Sequence, residues 1–222
     1  MSQIIIISKK KWDNSNYNLL KNNKEFILLD NINLKKINQV NPRIIFFIFW
    51  SKIIPKKVFS NFLCIQFHSS DLPKFKGGSP IQNQILKKIY KTKISAFKIN
   101  NKIDSGDICM KSNISLTGKA ENIYKNIEKK SLGMILKLSK KKKISFKKQT
   151  GKSSFYYRRN SYQSNLSYVI NKKLVDIFDF IRMLDASNYP KAFYKLGNKK
   201  IELTDVSLNN QFVKGKFIIK KK

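Results

Sequence analysis

Four short, nearly unbroken apolar runs sit in the first third of the chain: IIII (4–7), EFILLD (25–30), RIIFFIFW (43–50) and CIQFH (64–68). A strand with one face in water alternates apolar and polar residues. A continuous run belongs to a strand covered on both faces, as in a parallel sheet layered between helices. The intervening stretches suit that plan, since NLKKINQVNP reads as a short helix halted before Pro42. The expectation is an α/β fold with a mainly parallel, Rossmann-like sheet. Ligands of such sheets gather beyond the carboxyl ends of the strands, and Trp50 and His68 fall at two of those ends.

The segment after the first run, SKKKWDNSNY, contains no glycine, so it lacks the phosphate turn of a dinucleotide site. Charge offers a second clue that needs discounting. A formal net charge of +33 directs attention to nucleic acid or anionic membranes. Yet only Arg43, Arg158, Arg159 and Arg182 carry the guanidinium fork suited to bidentate phosphate contacts; the rest is lysine. Lysine, asparagine, isoleucine and phenylalanine share A- and T-rich codons, so base-composition drift accounts for most of the charge. What remains is a basic surface that attracts anions. Cys64 and Cys109 read as buried thiols of a reducing compartment without metal-ligand spacing. No apolar run approaches the length of a membrane span, so the expected location is cytoplasmic, with no membrane insertion.

Further along, Ser79 is positioned to cap a helix whose first residue is Pro80, with Ile81, Ile85 and Ile89 as its inward stripe. KISAFKIN and DICMKSNISL read as strands joined by the turn NKIDSG. Residues 120–143 read as an amphipathic helix burying Ile123, Ile127 and Leu132, with Lys140 to Lys143 as its solvated end. A basic connector leads to a helix carrying Ile177, Phe180, Ile181 and Leu184, then to a small β-meander. The expected division is residues 1–150 as one domain and 151–222 as a small α+β subdomain.

His68 is the only histidine. Side chains two apart on a strand share a face, so Gln66 and His68 emerge together. The KGGSP loop after them lets backbone approach a ligand closely at Gly77 and Gly78. Asp104, in KIDSGDI, is the candidate carboxylate, although Asp-Ser-Gly-Asp is also ordinary turn chemistry.

Taken in order, CIQFHSSDLPKFKGGSPIQNQI followed by TKISAFKINNKIDSGDI resembles the folate-dependent formyltransferase family. That family shows Asn-x-His, a Ser-Leu-Leu-Pro-type loop, a Pro-Ile and then Asp-x-Gly. His68 matches its histidine and Asp104 its aspartate, while Gln66 replaces its asparagine and keeps the amide on a longer stem. The resemblance covers residues 44–111 and, more loosely, FIRMLDASNYPKAFYKLGNKKIEL. It implies a Rossmann-like formyltransferase fold, formyl-tetrahydrofolate as one-carbon donor and no metal. It also implies an amine attacking the formyl carbon. His68 and Gln66 would then donate to the developing oxyanion, and Asp104 would orient the imidazole and help remove the amine proton. Trp50, Ser51, Ile54, Asn101, Lys102 and Ile103 would border the folate. Lys74, Lys76, Gly77, Gly78, Pro80, Gln82, Arg158 and Arg159 would meet the acceptor.

The short C-terminal part resembles the branch acting on nucleotide-linked amino sugars, with enzymes for CMP-linked pseudaminic acid the most similar. A small sugar-nucleotide substrate is therefore the expected partner, and nucleic acid is set aside. Methionyl-tRNA formyl transfer is the alternative, disfavoured because those enzymes carry a larger C-terminal barrel. A basic RNA-binding protein that kept the fold without the chemistry is the alternative of another class. Oligomeric state is left open, with a homodimer among the options.

Overall fold

Each of the four apolar runs becomes a strand of one sheet. The computed structural model describes residues 3–9, 11, 15–187 and 189–221. In chain order these form β1 (Ile4–Ile7), α1 (Ser15–Lys21), β2 (Phe26–Leu29), α2 (Leu34–Val40), β3 (Ile44–Phe47) and α3 (Lys56–Phe59). There follow β4 (Cys64–His68), β5 (Lys76–Gly77), α4 (Pro80–Leu86), β6 (Lys91–Lys98), β7 (Ile108–Ser115) and α5 (Ala120–Ser139). The remainder comprises β8 (Phe155–Tyr156), α6 (Leu174–Arg182), β9 (Ala192–Leu196), β10 (Lys199–Leu208) and β11 (Val213–Lys221). Part of the glycine-free segment after β1, at 10 and 12–14, lies outside the described residues.

The main sheet has the order β2-β1-β3-β4-β6-β7, with β1 parallel to β2 and β3, and β3 parallel to β4. All four isoleucines of β1 are at most 1% exposed, so both faces are covered as the unbroken run demands. Ile5 and Ile7 join Ile45, Phe47, Cys64, Trp50 and Ile54 in one apolar cluster. Each such side chain contributes roughly 1.5–3 kcal/mol on leaving water. The sheet is mainly parallel, as expected. Within it β6 runs antiparallel to β4, with Ile65 opposite Lys98 and His68 opposite Ser95, a direction on which side-chain periodicity carries no information. One expectation is corrected here: β3 stops at Phe47 rather than at Trp50, because Phe49 adopts φ 50, which ends the extended run.

By their contacts the residues gather into two units. One contains Met1–Gly77, Thr92–Ile114 and Lys125–Phe155; the other contains Gly78–Lys91, Ser115–Tyr124 and Tyr156–Lys222. Segments from both sides of residue 150 thus contribute to each unit. Within the second, Arg182 on α6 is 3% exposed and holds the carbonyls of Leu116 and Gly118, each at 2.7 Å. Its guanidinium also pairs with buried Asp179 at 2.7 Å. A charge taken from water requires such multiple partners. The same unit ends in an antiparallel meander, β11-β10-β9.

The capping role expected of Ser79 is also corrected. Its backbone lies at φ 50, its side chain makes no capping bond, and its hydroxyl accepts the Arg159 N–H at 3.1 Å instead. Cys64 is buried as expected, whereas Cys109 is only partly so.

Candidate functional site

β4 delivers His68 as its last residue, on the same face as Gln66 two positions earlier. The imidazole is 6% exposed. Its Nε2 lies 2.7 Å from the carbonyl oxygen of Phe75, and its Nδ1 lies 3.4 Å from Asp104 Oδ2. A carbonyl and a carboxylate can only accept. Each ring nitrogen therefore faces an acceptor.

Asp104 reaches this position by an indirect path. Lys98, at the end of β6, stands opposite Ile65, three residues before His68. Residues 99–106 must therefore run back along β4 to bring the carboxylate to the ring. Two features hold that reversal. Asp104 has φ 47, a left-handed conformation that Asp tolerates better than most residues. Gly106 packs so closely on β6 that a Cβ would lie 1.6 Å from the Lys98 carbonyl oxygen. The Asp-Ser-Gly spacing thus places a buried carboxylate rather than merely making a turn. Asp104 Oδ2 also accepts the Gly77 N–H at 2.8 Å, tying it to the loop that follows β4.

That loop, residues 69–76, is held from several sides. The Ser95 hydroxyl donates to the Ser70 carbonyl at 2.7 Å and accepts the Leu72 N–H at 3.2 Å. Ser154 accepts the Phe75 N–H on its hydroxyl and the Lys76 N–H on its carbonyl, both at 2.9 Å. Lys111 donates to the Leu72 carbonyl at 2.7 Å and contacts Asp71, which Lys93 also approaches at 3.1 Å. Burial pushes the Asp71 carboxyl up, but the Lys111 and Lys93 ammoniums outweigh it and hold it below its ordinary value. A depressed carboxylate adds stability above its unfolded pKa, and that stability is lost as pH falls through the folded value. The difference in urea midpoint between the wild type and Asp71→Asn should be full near neutral pH and close below about pH 3.9. A difference independent of pH would contradict this.

The structure brings Gln66, His68, Asp104, Lys76 and Gly77 into one unit. The Gln66 amide donates to the Trp50 carbonyl at 3.2 Å, and Lys76 Nζ donates to the Ser105 hydroxyl at 3.0 Å. Lys74 is exposed. Trp50 and Ile54 lie in the apolar cluster, with the Trp50 ring edge-on to Phe47 at 5.9 Å. The Trp50 indole N–H is buried without a partner among the described residues. Ser51, Asn101 and Lys102 are exposed, as is the Ile103 side chain at 60%.

The remaining residues belong to the second unit. Gly78 lies against the Arg158 backbone, where a Cβ would be 2.3 Å from its Cα. Pro80 begins α4, and Arg158 is exposed. The Arg159 guanidinium stands over the Phe180 ring at 5.9 Å. Gln82 is 1% exposed and donates to the Tyr124 hydroxyl and the Met183 carbonyl at 3.2 and 3.1 Å, so its amide is engaged internally. Two residues that the sequence reading passed over bear on the site. One is Ser154. The other is Gln149, whose Nε2 donates to the carbonyls of Asp104 and Gly106 at 2.9 and 2.8 Å. Among the described residues, no group of His, Cys, Asp and Glu is arranged to hold a metal ion, and no helix is long and apolar enough to cross a membrane.

Comparison with known proteins places the chain in a family. Residues 7–137 match the family described as Formyl transferase, and residues 161–220 match that described as Methionyl-tRNA formyltransferase, C-terminal domain. The chain belongs to the formyl transferase family. A methionyl-tRNA formyltransferase of Buchnera aphidicola is 30% identical over 192 residues, covering 80% of this chain and 60% of the relative. The chain thus spans about 60% of the length of that curated relative. A solved methionyl-tRNA formyltransferase from Clostridium thermocellum superposes with a TM-score of 0.93 at 36% identity, covering 100% of both chains. A 4-N formyltransferase from Francisella tularensis shares the fold at a TM-score of 0.70 and 15% identity, over 88% of this chain and 93% of that one.

Proposed function

We propose that this protein transfers a formyl group from formyl-tetrahydrofolate to a primary amine, and that the amine is the α-amino group of methionyl-tRNA. The observation that carries the chemistry is the buried His68–Asp104 pair, 3.4 Å apart, at the end of β4. The family match over residues 7–137 supports the donor, as does the shared fold of an Aquifex aeolicus HypX solved with tetrahydrofolic acid (TM-score 0.72, 14% identity, 92% of this chain, 37% of that one). The buried, unpartnered Trp50 indole N–H fits a ligand with a polar edge, because it leaves hydrogen-bonding capacity unused.

Formyl-tetrahydrofolate would supply the one-carbon unit. The protein's own part is to place N–H donors where negative charge develops on the formyl oxygen, and to take up the proton the amine sheds. His68 supplies one donor and Gln66 a second; both now rest on backbone carbonyls, from which a better acceptor can draw them. Asp104, held by the Gly77 N–H, would keep the ring oriented and accept, through water, the amine proton, which passes on to the nitrogen of the departing tetrahydrofolate. No step requires a metal.

For the acceptor, the end-to-end likeness to the Clostridium protein and the match at residues 161–220 weigh most. They weaken the length argument for an amino sugar, since a solved methionyl-tRNA formyltransferase chain is covered completely at this size. Both substrates are cytoplasmic, and we place the protein there. The 1–150 part would carry the chemistry and the 151–222 part would engage the acceptor. The test is incubation with formyl-tetrahydrofolate and either methionyl-tRNA or a panel of amino-sugar nucleotides, read by mass. Formylated methionyl-tRNA is expected. Formylation of a sugar alone would replace the acceptor, and formylation of neither, with salt-dependent RNA binding, would favour a non-catalytic role.

A further inference from the structure

We infer that Gln149 is a positioning residue, which sets the Asp104 turn so that its carboxylate meets His68; the inference rests on the formyl-transfer reading above. Residues 99–106 make a tight reversal with Asp104 in a left-handed conformation, and such a turn points successive carbonyls away from any strand ladder. Gln149 Nε2 serves two of them at once, Asp104 at 2.9 Å and Gly106 at 2.8 Å. Both protons of one NH2 group are used; one carbonyl belongs to the residue whose carboxylate approaches the imidazole, the other to the glycine two residues on. The amide cannot be turned over, because an oxygen facing two carbonyls would have nothing to give.

Stability alone does not account for this choice. Gln149 Oε1 is buried without a partner among the described residues, and an idle buried acceptor is costly. What the site needs is an uncharged head with two donors on one atom, and glutamine provides it. The chain nearby reinforces the role. Ser154, five residues on, accepts the N–H groups of Phe75 and Lys76, and the Phe75 carbonyl is the other partner of His68. The segment 149–154 therefore secures both acceptors between which the imidazole sits. The Gln149 hydrogen bonds go to backbone carbonyls, so it acts through the backbone.

The single histidine makes the test clean, since every imidazole NMR signal belongs to His68. Gln149→Met keeps the length and volume of the side chain and removes both donors; Gln149→Ala is the second variant. In Gln149→Met the ring signals should move in the direction taken by Asp104→Asn. The kcat for formyl transfer should fall about 10- to 100-fold with KM nearly unchanged, as expected when reacting groups are misplaced without loss of binding. Ring signals identical to the wild type in a folded Gln149→Met protein would overturn the inference, whatever the activity. Absence of transfer by the wild type would instead remove the functional reading, and the ring signals would still report whether Gln149 sets the pair. If neither variant folds, the wild-type carboxamide decides. Protons protected from exchange and close to Gly106 support the role, and a freely rotating, solvent-exchanging amide overturns it.

Discussion

His68→Ala and Asp104→Asn should each depress formyl transfer by about 10²–10⁴-fold while leaving a folded protein. In the proposed reaction His68 is the principal N–H donor to the oxyanion, and loss of one such donor lowers kcat by about 10²–10³. Asp104→Asn can present an N–H to Nδ1 in place of an acceptor, a mismatch that costs about 10⁴ where an Asp–His pair orients the imidazole. Neither change should unfold the chain. Asn accepts the Gly77 N–H through its amide oxygen and tolerates the left-handed backbone at this position. His68→Ala leaves the Phe75 carbonyl short of one donor, a cost of about 1–3 kcal/mol. The measurement is initial rate against both substrates, with urea unfolding as the control for integrity. Turnover within about threefold of the wild type in either variant would sink the assignment, because the smallest of these losses is about 10²-fold.

How much of this was legible in advance follows physical lines. The strands beneath the site were, because IIII, RIIFFIFW and CIQFH can be stable only with both faces covered, and the structure buries them so. The face shared by Gln66 and His68 follows from strand geometry alone. Strand direction was hidden, since the pattern of KTKISAFK reads the same either way along the sheet, and β6 proved antiparallel. Ser79 carries the right residue type for a cap, but its backbone is left-handed and its hydroxyl is taken by the Arg159 N–H, a tertiary partner that local sequence does not mark. Gln149 was the least legible of all. It lies in a lysine-rich connector without periodicity, and its partners are backbone carbonyls 43 and 45 residues away, which no side-chain pattern marks. The one available signal was indirect: a left-handed Asp turn under a buried histidine must find donors for its carbonyls somewhere, and an uncharged amide in a basic stretch is a candidate.

Gly106→Ala should be the most damaging small substitution in the first unit. A Cβ at this position would stand 1.6 Å from the Lys98 carbonyl oxygen and 3.4 Å from the Phe97 ring. The first distance is far inside van der Waals contact, and the obstacle is backbone, which cannot swing aside as a long side chain would. Relief requires pulling the turn off β6. That would break the Lys98 N–H bond to the Asp107 carbonyl at 2.8 Å and withdraw Asp104 from His68. Overpacking of this kind typically costs about 1–3 kcal/mol and more where backbone must move. The variant should therefore lose formyl transfer even at temperatures where it remains folded. Gly133→Ala on α5 is the matched control: nothing lies within 4 Å of the added Cβ, so it should gain about 0.5–1 kcal/mol from helix propensity and keep full activity. If Gly106→Ala unfolded at the wild-type midpoint with wild-type turnover, the turn would have room it does not show. The close approach of Asp104 to His68 would then not depend on the glycine two residues after it.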